Sequence, residues 1–416
     1  MLIEFRVANF RSFNAEQVLS MVAGSQEEHI ASNTFETSGF GRLLRSAVVY
    51  GPNASGKTNL LLALQFVQHW VVNSAAITPP TTPHTPFKFA ASNLKRPCEF
   101  EVTFIQDGTR YEYGFSIGPE RVEQEWLVEY AHPRGRTMFD RTYDHAAAKY
   151  AWKFSSFLRG QRAVWSEATR KDALFLSTAI QLNSEQLRPV FDWFQKRLVV
   201  IVGVSAMNPS LTLKLLNEPD GKERLLPFLR EADAGIRDLD VKREQIPSGA
   251  LVLQGNTNMI DLEGGQPSLL KVTFSHMSSD SRQHVGLDFA DESSGTQILF
   301  RTAGAWLNVF KNGEVLLFDE LDTSLHPLIT RFLIQRFHAD ASNPHNAQLV
   351  FSTHNTSHLD QKYFRRDQVW FVEKGADGAS KLYPLTDFKP RNDEKLETWY
   401  MRGRYGALPI VTDTGS

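Results

Sequence analysis

A chain of 416 residues is long for one compact domain, and its 42% hydrophobic and 22% charged fractions are those of a soluble globular protein. A formal net charge of −2 excludes binding of polyanions by bulk charge, while leaving room for a local basic face. A single cysteine, Cys98, excludes an intrachain disulfide and fits a reducing compartment, and 29 Phe with 8 Trp exclude a disordered chain.

In chain order, Ile3, Phe5 and Val7 alternate with polar residues, so residues 1 to about 25 read as two strands around a turn at Asn9-Phe10-Arg11-Ser12-Phe13. Ala47-Val48-Val49-Tyr50 predicts a buried strand that runs into Gly51. Leu60, Leu61, Leu64, Val67, Trp70 and Val71 then recur at helical spacing. Four prolines between Ile77 and Pro86 demand an extended loop. Phe100 to Ile105 and Tyr111 to Phe115 flank Asp107-Gly108, a hairpin signal, and residues 122–130 and 141–152 extend the same antiparallel sheet. Cys98, beside Pro97, reads as a small strand or core residue. Residues 165–235 read as helical, and residues 251–274 as strands punctuated by Asn256, Gly264 and Gly265. Residues 295–390 alternate helix and strand in the manner of a parallel sheet: helix Gln297 to Asn308, strand Val315 to Phe318, helix Leu328 to Phe337, and strands at 348–351 and 368–372. The N-terminus is no secretory signal and no apolar run approaches the ~20 residues of a membrane span, so a cytoplasmic protein with no membrane contact is expected.

Two segments carry chemistry. Gly51-Pro52-Asn53-Ala54-Ser55-Gly56-Lys57-Thr58, followed by Asn59, matches the phosphate-binding loop G-x-x-x-x-G-K-[ST] between a strand and a helix. Its glycines let the backbone curl so that N–H groups converge on phosphate oxygens at a helix N-terminus. Lys57 is expected to reach the β- and γ-phosphates of ATP, and Thr58 to hold Mg2+. Val315-Leu316-Leu317-Phe318-Asp319-Glu320 is an apolar strand ending in two carboxylates, which sets Asp319 at the strand's carboxyl end to hold the Mg2+ shell. Glu320, one residue on, is placed to accept a proton from an attacking water.

Three further stretches carry a family resemblance. Glu292-Ser293-Ser294-Gly295-Thr296-Gln297 resembles the signature motif of ABC-type ATPases, Glu320-Leu321-Asp322-Thr323-Ser324-Leu325-His326-Pro327 is similar to their D-loop, and Phe351-Ser352-Thr353-His354-Asn355 to their H-switch. The resemblance implies that His354 senses the γ-phosphate. It also implies that Ser293, Ser294 and Gly295 meet ATP across a homodimer, or a higher homo-oligomer. Ile3 to Phe13 is similar to the opening of RecF, SMC and OLD-type ATPases, which implies that Arg11 and Ser12 touch ATP. The glutamine of the family's Q-loop stays unassigned among Gln106, Gln124 and Gln181.

Residues 51 and 293 lie 242 positions apart, longer than a transporter ATPase needs and without the heptads of an SMC arm. The chain most resembles stand-alone bacterial ATPases of anti-phage and abortive-infection operons, the RloA, AbiL and AriA kind. Leu174-Phe175-Leu176-Ser177, Ala232-Asp233-Ala234-Gly235-Ile236 and Gly403-Arg404-Tyr405-Gly406-Ala407-Leu408-Pro409 are the supporting stretches. That resemblance implies an ATPase subunit controlling a separate effector, for which a Toprim-type nuclease is a candidate. The alternative is a repair or recombination ATPase of the RecF kind that acts on nucleic acid directly.

The expected fold is α/β: an ABC-type core at 1–74 and 291–390, an inserted antiparallel β arm and helical lobe at 75–290, and a tail at 391–416. His326, His354 and His358 lack the companions of a zinc site, and Arg365-Arg366, Arg402 and Arg404 read as solvated charge.

Overall fold

The computed structural model describes residues 1–78, 82–131, 134–203, 209–232, 235–245, 259–261, 268–278, 280, 283–391 and 393–409. The expectations for Pro79, Pro80, Thr81, Asp233, Ala234, Asn256, Gly264, Gly265 and the tail beyond residue 409 lie outside the described residues.

β1 (Leu2–Ala8) and β2 (Gln17–Ser20) form an N-terminal hairpin whose turn is closed by reciprocal backbone bonds between Phe10 and Phe13, at 2.9 and 2.8 Å. A single helical turn, α1 (Ile30–Asn33), and a small hairpin of β3 (Thr34–Thr37) and β4 (Gly41–Leu44) precede β5 (Ser46–Tyr50). α2 (Lys57–Asn73) buries the apolar residues whose spacing predicts it. An antiparallel meander follows: β6 (Cys98–Gln106), β7 (Thr109–Ile117), β8 (Val122–Tyr130), β9 (Arg136–Asp144) and β10 (Lys149–Phe154). Asp107 and Gly108, at φ 51° and 76°, make its first tight turn, as the sequence predicts. Short helices α3 (Arg162–Ala168), α4 (Phe175–Gln181) and α5 (Arg188–Asp192) lead to β11 (Leu198–Ile201). Next come α6 (Ser210–Leu216), α7 (Gly221–Ala232), β12 (Ile236–Gln245), β13 (Met259–Asp261), β14 (Ser268–Met277) and β15 (His284–Asp288). The chain ends through α8 (Ser294–Asn312), β16 (Val315–Phe318), α9 (Pro327–His338), β17 (Gln348–Ser352), β18 (Val369–Lys374), β19 (Ser380–Pro384) and α10 (Leu396–Met401).

The chain divides into two compact units, Met1–Val202 with Asn312–Glu320 and Ile334–Ser416, and Gly203–Lys311 with Leu321–Leu333. In the first, a six-stranded sheet runs in the order β11-β16-β17-β5-β18-β19, parallel except for β19. Every residue of β16, β17 and β5 is buried, because the centre of a parallel sheet is covered on both faces. A seven-stranded antiparallel sheet runs β10-β9-β8-β7-β6-β1-β2, so the arm strands continue the sheet begun by the N-terminal hairpin. One core joins these layers through α2: Phe66 lies 4.9 Å from Phe100, and Phe104 stacks on Trp193 at 4.3 Å. The α/β class expected from the sequence is the class observed.

A buried polar knot fixes the arm. Glu125 and Arg141 are both fully buried, on the paired strands β8 and β9, with Arg141 Nη1 3.8 Å from Glu125 Oε2. Glu125 accepts from the amides of Phe175 and Leu176 at the start of α4, at 2.6 and 3.0 Å, and from the Tyr113 hydroxyl at 3.0 Å. Arg141 donates to the carbonyls of Ala173 and Arg170. Burial pushes the Glu125 carboxyl above its ordinary value, while Arg141 and the donors pull it back. Removing one partner of such a pair costs about 3–5 kcal/mol, because the other is left charged and dry.

Two expectations need correcting. The stretch 165–235 is not all helical: Leu198-Val199-Val200-Ile201 is a parallel edge strand paired with β16, a four-residue apolar run too short for a helix. Arg365 is not solvated charge either. It is 1% exposed, and its guanidinium is saturated by Asp367 and by the carbonyls of Gly24, Gln26 and Glu28. Arg402 and Arg404 are exposed, and Arg404 pairs with Glu394.

In the second unit, β12, β14 and β13 form a sheet with β15 added against β14. Phe274, Phe289 and Phe300 cluster at its centre. Among the described residues no helix is long and apolar enough to cross a membrane.

Candidate functional site

The site of the first unit lies at the carboxyl edge of the parallel sheet, where β16, β17 and β5 end side by side. After Tyr50 the chain makes a loop that starts α2 at Lys57. Gly56, at φ 116°, sits where a side chain would run into Ser380 Oγ and within 2.8 Å of Ser12 Oγ, so only glycine fits. Ala54 holds a left-handed conformation at φ 62°, which costs a non-glycine residue about 1–2 kcal/mol. Lys57 is buried, and its ammonium donates to the carbonyls of Gly51 and Pro52 at 2.8 and 3.1 Å. Gly51, Pro52, Asn53, Ala54 and Ser55 form one side of a cavity of about 860 Å³, with His354, Thr356, Tyr400, Met401 and Leu408 among its other lining residues.

Parallel register brings the carboxylate strand to this loop. Thr58 Oγ1 donates to Asp319 Oδ2 at 2.8 Å, and Ser352 Oγ donates to Asp319 Oδ1 at 2.6 Å. Ser352 Oγ in turn accepts from the Glu320 amide at 2.7 Å. Glu320 holds φ 53°, a strained backbone for a non-glycine residue, and its side chain is half exposed. Its Oε1 lies 3.8 Å from His354 Nε2.

The N-terminal turn closes the other side of the loop. Asn59 Nδ2 donates to Ser12 Oγ at 2.8 Å, and Ser12 O accepts from the Ser380 amide at 2.7 Å. Ser380 Oγ donates to the carbonyl of Ser55. Arg11, at φ 50°, is exposed and lines a separate cavity of about 590 Å³ with Phe10, Leu62, Phe66 and His69.

Lys57, Thr58, Asn59, Asp319, Glu320, His354 and Ser12 are thus gathered around one loop. Ser293, Ser294 and Gly295 lie in the second unit, at the start of α8. There Ser293 caps the helix, its Oγ accepting from the Thr296 amide at 3.1 Å, while Ser294 is exposed. Of the Q-loop candidates, Gln106 bonds Asp107, Gln124 bonds Asp140, and Gln181 is exposed at the end of α4. His358 is buried beside Asn355, and His326 Nδ1 accepts from the Leu328 amide. Sequence reasoning included Ser352 in the switch stretch but gave it no role, and it missed Ser380. Ser352, the one hydroxyl ending an apolar strand, was a usable signal, whereas nothing local marks Ser380.

The residues fit a phosphate ligand and its cation. Ser55 Oγ is buried with no hydrogen-bond partner among the described residues, an unmade bond in the floor of the loop. Thr58 and Asp319 supply hard oxygens of the type Mg2+ prefers. No group of three or more His, Cys, Asp or Glu among the described residues can hold a metal alone, so the remaining ligands of such an ion would be phosphate oxygens and water.

Residues 46–360 match the family described as "AAA domain, putative AbiEii toxin, Type IV TA system". No curated protein matches the chain. Among solved structures it is similar to one described as the SmcHead bound to the C-winged helix domain of ScpA, at 14% identity and a TM-score of 0.42, over 94% of this chain and 99% of that one.

Proposed function

The chain belongs to this AAA-domain family of P-loop, nucleotide-binding ATPases, and from that premise we propose that it hydrolyses ATP as an ABC-type homodimer and that the cycle controls a separate effector protein. The observation that carries the reading is the linked set Thr58–Asp319–Ser352–Glu320 beside Lys57 and His354, at one sheet edge. Backbone amides of Asn53 to Thr58 and the Lys57 ammonium, turned from the Gly51 and Pro52 carbonyls, bind the β- and γ-phosphates. Thr58 and Asp319 hold Mg2+, which when bound neutralises charge on the phosphate oxygens. Ser352 keeps the Asp319 carboxylate oriented, as outer hydrogen bonds orient metal ligands elsewhere. Glu320 takes a proton from the attacking water, and His354 steadies the γ-phosphate. In the dimer, Ser294 and Gly295 of one copy meet the ATP held by Lys57 of the other, so ATP closes the pair and hydrolysis opens it.

The family description, which names a putative toxin and a type IV toxin–antitoxin system, supports a place in a toxin–antitoxin system. Composition supports a protein partner over DNA: 45 basic residues face 47 acidic ones, and Arg365, one of the few clustered arginines, is buried. The isolated chain is therefore expected to hydrolyse ATP, to bind duplex DNA only weakly at physiological salt, and to copurify with the product of an adjacent gene. Filter binding across a salt series, beside a tagged pull-down from the native operon, tests this. Submicromolar, ATP-dependent DNA binding that falls steeply with salt, with no partner recovered, would favour direct action on DNA in the manner of RecF.

A further inference from the structure

The run Gly403 to Pro409 takes no part in the chemistry above, yet its packing leads back to the phosphate loop. Tyr400 stacks on Phe371 with centroids 5.5 Å apart and lies 5.9 Å from Tyr50, the last residue before that loop. Tyr405 stacks on the same Phe371 at 5.8 Å. The Tyr400 hydroxyl donates to Ala407 O at 2.8 Å, and the Tyr383 hydroxyl to Tyr405 O at 2.9 Å, so ring hydroxyls satisfy a backbone that joins no sheet. Gly406, at φ 65°, lies where a side chain would press on the Tyr383 hydroxyl and the Glu373 carboxylate, at 2.7 and 2.9 Å. The segment is fixed on the sheet in this way, and Met401, Leu408 and Pro409 form the wall of the cavity shared with residues 51–55 and His354.

One side-chain bond ties this wall to the loop that carries His354. Thr356 Oγ1 donates to Glu397 Oε1, on α10, at 2.7 Å. Between His354 and Thr356, the Asn355 amide donates to Thr353 Oγ1 at 3.0 Å and the Asn355 carbonyl accepts from the Tyr50 hydroxyl at 3.4 Å. The Asn355 side chain accepts from the Ser357 amide at 3.0 Å. The loop is thus held by bonds within residues 353–357 and from Tyr50, and a side-chain tie to α10 is made by Glu397, an exposed residue whose hydrogen bond adds little to fold stability. A bond of small structural worth at this position serves geometry better than folding.

We propose that the C-terminal segment is a positioning element of the hydrolytic site, in which Glu397 acts through Thr356 to set the loop that presents His354 to Glu320. This rests on the reading of Glu320 and His354 as hydrolytic residues. The test uses the full chain. Thr356→Val and Glu397→Ala remove the bond from either side, and each is expected to lower kcat about three- to tenfold with KM for ATP within about twofold. Melting temperatures should stay close to wild type. Glu397→Gln keeps an acceptor oxygen and should recover most of the rate. The double variant should fall no further than either single one, since both lose one bond. Wild-type rates in both single variants, losses that multiply in the double, or a matching loss of ATP affinity would each overturn the proposal. Glu320→Gln separates the two layers: if it is inactive while these variants run normally, only the positioning role fails, and if it runs at the wild-type rate, the hydrolytic reading beneath it fails.

Discussion

Glu320→Gln should lower kcat by about 10²–10⁴-fold while leaving ATP affinity near wild type, the loss expected when a positioned general base is removed. The amide matches the carboxylate in shape and keeps an oxygen near His354 Nε2, 3.8 Å away, so the local geometry has no reason to collapse. The strained backbone at φ 53° is held by the bond from the Glu320 amide to Ser352 Oγ, which the substitution does not touch. What disappears is the basicity that accepts the water's proton. With binding retained and hydrolysis blocked, ATP should also hold the closed dimer on a sizing column. Steady-state turnover and equilibrium binding on one preparation separate the two effects, and turnover near the wild-type rate would remove Glu320 from the chemistry.

Lys57→Ala acts on the other half of the cycle. The ammonium is buried against its own loop, so a bound triphosphate would meet it with little competing water. Truncating one partner of such a buried charge pair costs about 2–5 kcal/mol, which weakens ATP binding from about 30-fold to several thousandfold. ATP should raise the melting temperature of the wild type, because a ligand that binds only the folded state stabilises it. The variant should lose most of that rise while its ligand-free melting temperature shifts far less. An undiminished ATP-dependent rise would place the phosphates elsewhere.

The legible parts of this fold were those written in local sequence. The phosphate loop, the strand ending in Asp319 and Glu320, the Asp107-Gly108 hairpin and α2 each follow from spacing within about twenty residues. The contacts that complete the site are long-range. Thr58 and Asp319 are 261 positions apart, Ser352 and Asp319 are 33 apart, and Ser55 and Ser380 are 325 apart. All three follow from a strand order that no single segment encodes. β11 was hidden because a four-residue apolar run among helical patterns carries no period of its own. Arg365 was misread because an arginine doublet looks solvated unless the carbonyls waiting for it, at residues 24, 26 and 28, are known.

Complementation between two inactive variants tests the shared-site dimer most directly. Lys57→Ala removes the phosphate lysine and leaves Ser294 intact, whereas Ser294→Arg places a bulky cation on an exposed helix start and leaves the phosphate loop intact. Each variant alone should be nearly inactive. A mixed dimer contains one doubly defective site and one complete site, built from the wild-type loop of one copy and the wild-type Ser294 of the other. Mixing the two proteins should therefore restore ATP hydrolysis, rising with protein concentration as mixed dimers form. A mixture whose rate stays at the sum of its two parts, at concentrations where the wild type is active, would contradict an active site shared between copies.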